Sequence, residues 1–360
     1  MRGKMKRIGG LYSSIYAFSN LQSAALRARK GKRHRPDVVA FHFDLETNLL
    51  RLRDELQGGL YTPGAYRTFR ITDPKPRLIS AAPYRDRVVH HALCNVIEPL
   101  FDRTFIYDSY ANRTEKGTHR ALDRCTEFAR RYQFVLKCDI TGYFPSVDHD
   151  LLKSCIAKTI KCPETLNLIT VILDSSEPSD PNPRYFQGDN LFTPHERRSG
   201  IPIGNLTSQL FGNVYLNDFD HWMKEVIRAK GYLRFVDDFL IFSEDSRWLH
   251  DLLPRIQTYM ASLRVRLHAR KCQIVPVKCG VEFLGWQVFP DHRRLRRSTG
   301  VRFQRKLRAL AEGYSIGEIS HTEVEASVMS WLGHLKHGDT WGLRTSLLGQ
   351  TSFIRKREQR

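Results

Sequence analysis

Hydrophobic positions along this chain change period repeatedly, and those changes divide it into elements. Over residues 38–58, Phe41, Leu45, Leu49, Leu50, Leu52 and Leu56 recur near helical spacing until Gly58-Gly59, which predicts one helix. Before it, residues 19–35 predict an amphipathic helical stretch ending in a run of cations from Arg27 to Arg35. Two alternating runs, 66–71 and 77–81, flank Thr72-Asp73-Pro74-Lys75-Pro76, where the prolines fix a turn and predict a hairpin. Strong helical patterns follow at 83–101 and 118–132. His90 and His91 are adjacent in the first, point in different directions and form no i, i+4 metal pair, so they read as surface or core histidines.

An apolar strand at 134–138 delivers Asp139 at its end, the chain turns through Gly142 to Phe144, and a helix is expected from about Asp148. Helical patterning over 151–173 gives way to a polar insert, 174–199, which reads as a loop. Gly200-Ile201-Pro202-Ile203-Gly204-Asn205 then opens a predicted long helix to about Lys230. Within residues 231–242, apolar, largely β-prone residues run up to Asp237-Asp238 and resume directly after them, as in two short strands meeting at a tight turn. A helix over 246–263 with Ser246 as its N-cap follows, and then a strand pair over 281–289 broken at Gly285. From about His292 a basic helical lobe is expected, packed by Trp331, Leu332, His334, Leu335 and Trp341.

Charge changes the picture from fold to partners. The 360 residues hold 57 Lys and Arg against 38 Asp and Glu, a formal net charge of +19. Such an excess points to a polyanion such as RNA or DNA, with an acidic membrane surface as the competing explanation. No apolar run is long enough for a spanning helix, and MRGKMKRIGG lacks the apolar core of a signal peptide, so a cytoplasmic protein without a membrane partner is expected. Seven scattered cysteines without a CxxC pair argue against a zinc module and a disulfide scaffold. The run Arg27 to Arg35 is a solvated face or a phosphate contact on equal terms. Arg293, Arg294, Arg296, Arg297, Arg302, Arg305, Lys306 and Arg308 suit a lobe that tracks a nucleic-acid backbone.

Candidate chemistry centres on three acids. Asp237-Asp238 alone reads first as a polar turn, but an acid pair in apolar surroundings is costly unless a positive partner, naturally a divalent metal, sits there. Asp139, at the end of a buried-looking strand, is a turn acid or N-cap on the bland reading and a third ligand on the other. Two-metal phosphoryl transfer needs several carboxylates converging on ions about 4 Å apart, and a strand end facing a hairpin tip supplies them.

A basic hairpin, a strand with one acid and a following aromatic, a glycine loop opening a helix and an acid-acid hairpin thus stand in a fixed order. In that order the sequence resembles the reverse transcriptases over most of residues 60–290, with Phe235-Val236-Asp237-Asp238 where the family usually begins its box with Tyr. The resemblance implies an α+β right-hand polymerase: N-terminal extension and fingers at 1–133, a palm of antiparallel sheet plus helices at 134–292 (with the insert 174–199), and a short helical thumb at 293–360. It implies Asp139, Ile140, Asp237 and Asp238 at a Mg²⁺ site that Mn²⁺ also suits, and Lys271 as the proton donor to the leaving pyrophosphate. Phe144 becomes the wall that excludes a ribose 2′-hydroxyl and favours dNTPs. Lys75 and Arg77 match residues that hold the triphosphate, with Ile140 and Gln209 beside the same nucleotide. Ile203 and Gly204 fall at the template or primer, and Phe283-Leu284-Gly285-Trp286 resembles the primer grip.

Within the family the sequence is most similar to the reverse transcriptases of diversity-generating retroelements, through Ile203-Gly204-Asn205-Leu206-Thr207-Ser208-Gln209, Lys75-Pro76-Arg77-Leu78-Ile79-Ser80, His91-Ala92-Leu93-Cys94-Asn95 and Ser330-Trp331-Leu332-Gly333-His334. That likeness implies error-prone cDNA synthesis, with Ile203 and Arg77 as fidelity determinants, and a bacterial or phage source. Anti-phage defence reverse transcriptases share the polymerase motifs and form the alternative; a non-catalytic RNA-binding scaffold is a third reading, which the intact acids oppose. No nuclease domain is expected beside a thumb in the residues after Gly300, and a group II intron maturase is a further reading, weakened by the want of a maturase-length extension. A structured noncoding RNA and an accessory protein are therefore expected as partners.

Overall fold

The computed structural model describes residues 6–72, 76–175 and 184–355. Helices α1 (Tyr12–Tyr16), α2 (Phe18–Arg29), α3 (Pro36–Phe43) and α4 (Leu45–Gln57) precede an antiparallel hairpin of β1 (Arg67–Ile71) and β2 (Arg77–Ala81). The basic N-terminal stretch is helical only to Arg29, and the single helix expected over 38–58 is two. Asp44, at φ −124° and ψ 61°, leaves the helical region, and the Asn48 side chain caps the break by donating to the Phe41 carbonyl at 3.1 Å. Helix α5 (Tyr84–Asp102) and helix α6 (Thr118–Arg131) follow as their periodicity predicts.

Strand β3 (Phe134–Asp139) leads through the short α7 (Tyr143–Ser146) into α8 (His149–Ala157) and α9 (Pro163–Asp174). The helical pattern read over 151–173 is therefore interrupted, with Pro163 starting a new helix at the position where its missing N–H costs nothing. In the insert, α10 (Thr193–Glu196) is the helical turn among the described residues; 176–183 lie outside them. The long helix expected after the glycine loop divides into α11 (Leu206–Tyr215), α12 (Asn217–His221) and a π-helical turn at Trp222–Val226, with Leu216 at φ −95° and ψ 3° between the first two. Strands β4 (Gly231–Phe235) and β5 (Asp238–Ser243) form the acid hairpin, and α13 (Ser246–Ser262) and β6 (Gln273–Pro276) follow. Asp245, not Ser246, caps α13, accepting from the Arg247 N–H at 2.8 Å. A small sheet of β7 (Val281–Phe283), β8 (Trp286–Val288) and β9 (Arg293–Leu295) precedes α14 (Arg297–Ser315), α15 (His321–Leu335) and α16 (Trp341–Gly349).

The central sheet has the order β4-β5-β3-β6, antiparallel throughout, and both of its faces are covered. Strict alternation sorts its side chains. Leu136, Cys138, Tyr232, Phe239 and Ile241 enter a core shared with α2, α5, α8, α9 and α11, whereas Val135, Leu233, Leu240 and Phe242 enter a second one shared with α6, the small sheet and the last helices. Burial on both faces is why these strands read as continuous apolar runs. In the C-terminal lobe Trp331 stacks on Phe303 at 3.6 Å and Leu335 is buried, but Trp341, expected in that core, is 72% exposed. It heads α16, whose buried residue is Leu347. Among the seven cysteines Cys94, Cys125, Cys138 and Cys162 are buried, Cys279 is exposed, and none is in a disulfide. Among the described residues no helix is long and apolar enough to cross a membrane.

Candidate active site

The β4–β5 register runs from Gly231 opposite Phe242 to Phe235 opposite Asp238, so Val236 and Asp237 form a two-residue turn. Such turns demand left-handed backbone to follow the twist of the strands, and Val236 supplies it at φ 57°, an uncommon conformation for a β-branched residue. Asp237 thus projects from the turn itself while Asp238 begins β5. On the other side of β5, the register sets Asp139 directly opposite Asp238. Two segments far apart in the chain therefore bring all three acids to one end of the sheet.

Burial and mutual repulsion act on these acids together. The Asp238 carboxyl is pushed up to about 6, first by desolvation and then by Asp237 and Asp139, with Lys137 and Lys271 pulling the other way. Asp237 is raised as well, by desolvation and by Asp139, while Arg77 and Lys271 oppose the shift. The stretch after α13 delivers one of these cations. Its backbone lies along the end of β3, where the His268 N–H donates to the Asp139 carbonyl and the Thr141 N–H to the Arg266 carbonyl, both at 2.8 Å. Lys271 Nζ then donates to Asp139 Oδ2 at 2.8 Å.

An oxygen-only set of carboxylates, two of which resist ionisation, suits a hard divalent cation such as Mg²⁺ or Mn²⁺. Among the described residues no three His, Cys, Asp or Glu side chains converge tightly enough to ligate one ion. With Lys271 paired to it, the Asp139 carboxylate is neutralised by an ammonium in this arrangement.

The remaining residues singled out in the sequence fall around this centre. Arg77 lies exposed on β2, close enough to oppose the rise at Asp237; Lys75 lies outside the described residues. Ile140 is buried and bridges to Leu267. Phe144 packs edge-on against Tyr143, and its carbonyl accepts from the Ile201 N–H at 2.9 Å, which ties the loop after Asp139 to the glycine loop. That loop in turn meets the basic hairpin, since the Ser80 N–H donates to the Ile203 carbonyl at 3.2 Å, and Gly204 stands at φ 117°. Gln209 is exposed on α11. A cavity of about 470 Å³ joins Asp139, Asp238 and Lys271 to the stretch Glu282 through Trp286. Phe283 and Trp286 are core side chains of the small sheet, so the accessible part of that stretch is the turn at Leu284 and Gly285, both with positive φ.

The sequence reading passed over Lys137 and Arg270, which line the same cavity, and Arg234 beneath the turn. A period-2 count would have found Lys137, two residues before Asp139 and so on its face of β3. A single arginine inside the apolar run of β4 is the corresponding mark of Arg234.

Residues 72–288 match the family described as reverse transcriptase (RNA-dependent DNA polymerase). Protein YkfC of Escherichia coli (strain K12) is 25% identical over 295 residues, covering 70% of this chain and 72% of YkfC. The group II intron-encoded protein LtrA of Lactococcus lactis subsp. cremoris is 24% identical over 213 residues, or 58% of this chain and 33% of LtrA, so the chain spans about a third of that relative's length. Among solved structures, apo telomerase from Candida tropicalis shares the fold with a TM-score of 0.51 at 11% identity, covering 79% of this chain and 60% of the telomerase chain. With well over half its length matched by that one description, and the matched part carrying the acid-bearing sheet, the chain belongs to the reverse transcriptase family.

Proposed function

We propose that this protein is an RNA-templated DNA polymerase that adds dNTPs to a primer 3′-hydroxyl. The observation that carries the reading is the cross-strand pairing of Asp139 with Asp238 beside Asp237, in a cavity that also holds Lys271. The three carboxylates, with the Ile140 backbone, would hold Mg²⁺ or Mn²⁺, Asp139 giving up its bridge to Lys271 as it does so. The bound cation would make the 3′-hydroxyl a better nucleophile and offset charge on the departing pyrophosphate. Lys271, released but still beside the acids, donates the proton that the pyrophosphate takes up. Arg77 and Lys75 clamp the triphosphate, Phe144 stands against the sugar, and Gln209 lies along the nucleotide. Ile203 and Gly204 border the template, and the Leu284-Gly285 turn between Phe283 and Trp286 supports the primer end. In this reading 1–133 are extension and fingers, 134–292 palm and 293–360 thumb.

The form of the glycine loop supports a place among the diversity-generating retroelements, with a structured noncoding RNA as template, error-prone cDNA as product and an accessory protein as partner. Similarity to LtrA favours, as a second reading, a reverse transcriptase borne by an intron. A template and variable repeat pair in the neighbouring DNA supports the first, flanking intron RNA the second, and defence genes with a dedicated noncoding RNA an anti-phage role. The polymerase reading itself is tested by dNTP incorporation on a primed RNA template. Wild type should extend the primer and Asp237→Ala plus Asp238→Ala should not; incorporation that survives the double substitution would overturn the assignment.

A further inference from the structure

Directly under the acid-bearing turn lies a fully buried ion pair that the proposed chemistry leaves unused. Arg234 sits in β4 with its side chain on the face opposite Leu233, and both it and Asp220 are shut off from solvent. Arg234 Nε donates to Asp220 Oδ1 at 2.8 Å and Nη2 to Asp220 Oδ2 at 2.6 Å, a bidentate fork, while the Tyr232 hydroxyl donates to Asp220 Oδ1 at 2.6 Å. The remaining nitrogen is what matters. Nη1 donates to the Val236 carbonyl at 2.9 Å and to Asn213 Oδ1 at 3.2 Å. Asn213 is held from its other end by the Ala111 carbonyl, and the Arg234 backbone is fixed between the Asp108 carbonyl and the Tyr110 N–H.

A buried ion pair is a poor device for stability, because desolvating both charges offsets their attraction and an apolar pair of similar volume serves as well. A positive φ at a β-branched residue is likewise disfavoured and persists only where the surroundings over-determine it. The two features explain one another. Val236 is the turn residue whose peptide leads into Asp237, and the contact that reaches its carbonyl from below is the guanidinium that Asp220 orients. Were that carbonyl released, Val236 would relax toward ordinary backbone and rotate the following peptide, swinging Asp237 away from Asp139 and Asp238. Lysine cannot replace the arginine here, since one ammonium cannot serve both carboxylate oxygens and the turn carbonyl in a fixed plane.

We infer that Arg234, clamped by Asp220, is the positioning residue that holds the Val236 turn and thereby sets where Asp237 stands relative to Asp139 and Asp238. The inference rests on the polymerase reading for its consequence in activity, but its geometric content is tested apart from it. Two variants of the full chain serve. Arg234→Met with Asp220→Leu removes both charges and leaves neither buried alone, and Arg234→Lys keeps the charge pair without the fork. Folding is followed by circular dichroism and melting, Mn²⁺ binding by electron paramagnetic resonance, and primer extension by steady-state kinetics. The folded variants should bind Mn²⁺ about tenfold or more weaker. They should also lose about a hundredfold in kcat while the KM for dNTP, set by contacts to the triphosphate, changes little. A folded variant that binds Mn²⁺ and turns over like wild type would overturn the inference, as would a defect confined to KM. Should wild type extend no primer on any template, the polymerase reading fails while the Mn²⁺ comparison still decides the role of Arg234.

Discussion

Asp238 pays for its place between Asp139 and Asp237 with a carboxyl held near 6, and the sign of that shift has consequences for stability. The native value lies above the unfolded one, so between about pH 4 and pH 6 the folded protein binds more protons than the unfolded chain and stability falls as pH rises through that window. Above it the ionised acid is a standing cost of about 3 kcal/mol. Asp238→Asn should therefore raise the melting temperature at neutral pH, lose that advantage toward about pH 4, and abolish incorporation. Melts of both proteins across the pH range check this, and added Mg²⁺ should stabilise wild type more than the variant. The three acids were legible as residues because each interrupts or ends an apolar strand. Their cationic neighbours were legible only in part: Lys271 came from a resemblance, and Lys137 needed the period of β3 to be followed to its end.

Elements, rather than single residues, set the side of the site proposed to take the nucleotide. The basic hairpin and the glycine loop are separate in the chain yet joined by the Ser80 to Ile203 hydrogen bond, and Gly204 beside it adopts φ 117°, where a Cβ would approach Ile79 Cγ2 at 3.2 Å. Gly204→Ala should strain the backbone by about 1 kcal/mol and push the loop from the hairpin. Steady-state kinetics should then show the KM for dNTP rising several-fold, with kcat affected less. Hairpins were read well from sequence because alternation and turn residues are local. The long helix after the glycine loop was not, because its division at Leu216 leaves Asn213 and Asp220 to bond the Ala111 carbonyl and Arg234 in the interior. Periodicity registers apolar faces and has no term for a buried polar pair.

At the scale of the whole molecule, the net charge of +19 becomes a surface when α14 is in place. Arg305 and Lys306 lie exposed on its outer side, while Phe303 and Leu307 of the same helix are buried. If that face follows a template–primer backbone, binding should weaken steeply with salt, and Arg305→Gln plus Lys306→Gln should reduce the slope of log affinity against log salt by about 1.5 to 2. Fluorescence anisotropy over a salt series measures it; an unchanged slope would place the duplex elsewhere. The lobe packs closely against the small sheet, for a Cβ at Gly338 would overlap the Trp286 ring. The aromatic residues of this lobe were expected to pack together, and Trp331 does so, but which of two helix-borne tryptophans turns inward depends on the partner helix.

The sequence by itself determined the acid-bearing strands, the hairpins, the three acids and the kinship with reverse transcriptases, because period, turn chemistry and ordered motifs are properties of short stretches. Only the tertiary structure decided that Asp139 faces Asp238, that Lys271 lies 2.8 Å from Asp139, and that a buried arginine grips the strained turn between them. Those pairings join residues distant in the chain, and they are selected by the register of the sheet and by the need to satisfy every polar group it buries, neither of which any single segment contains.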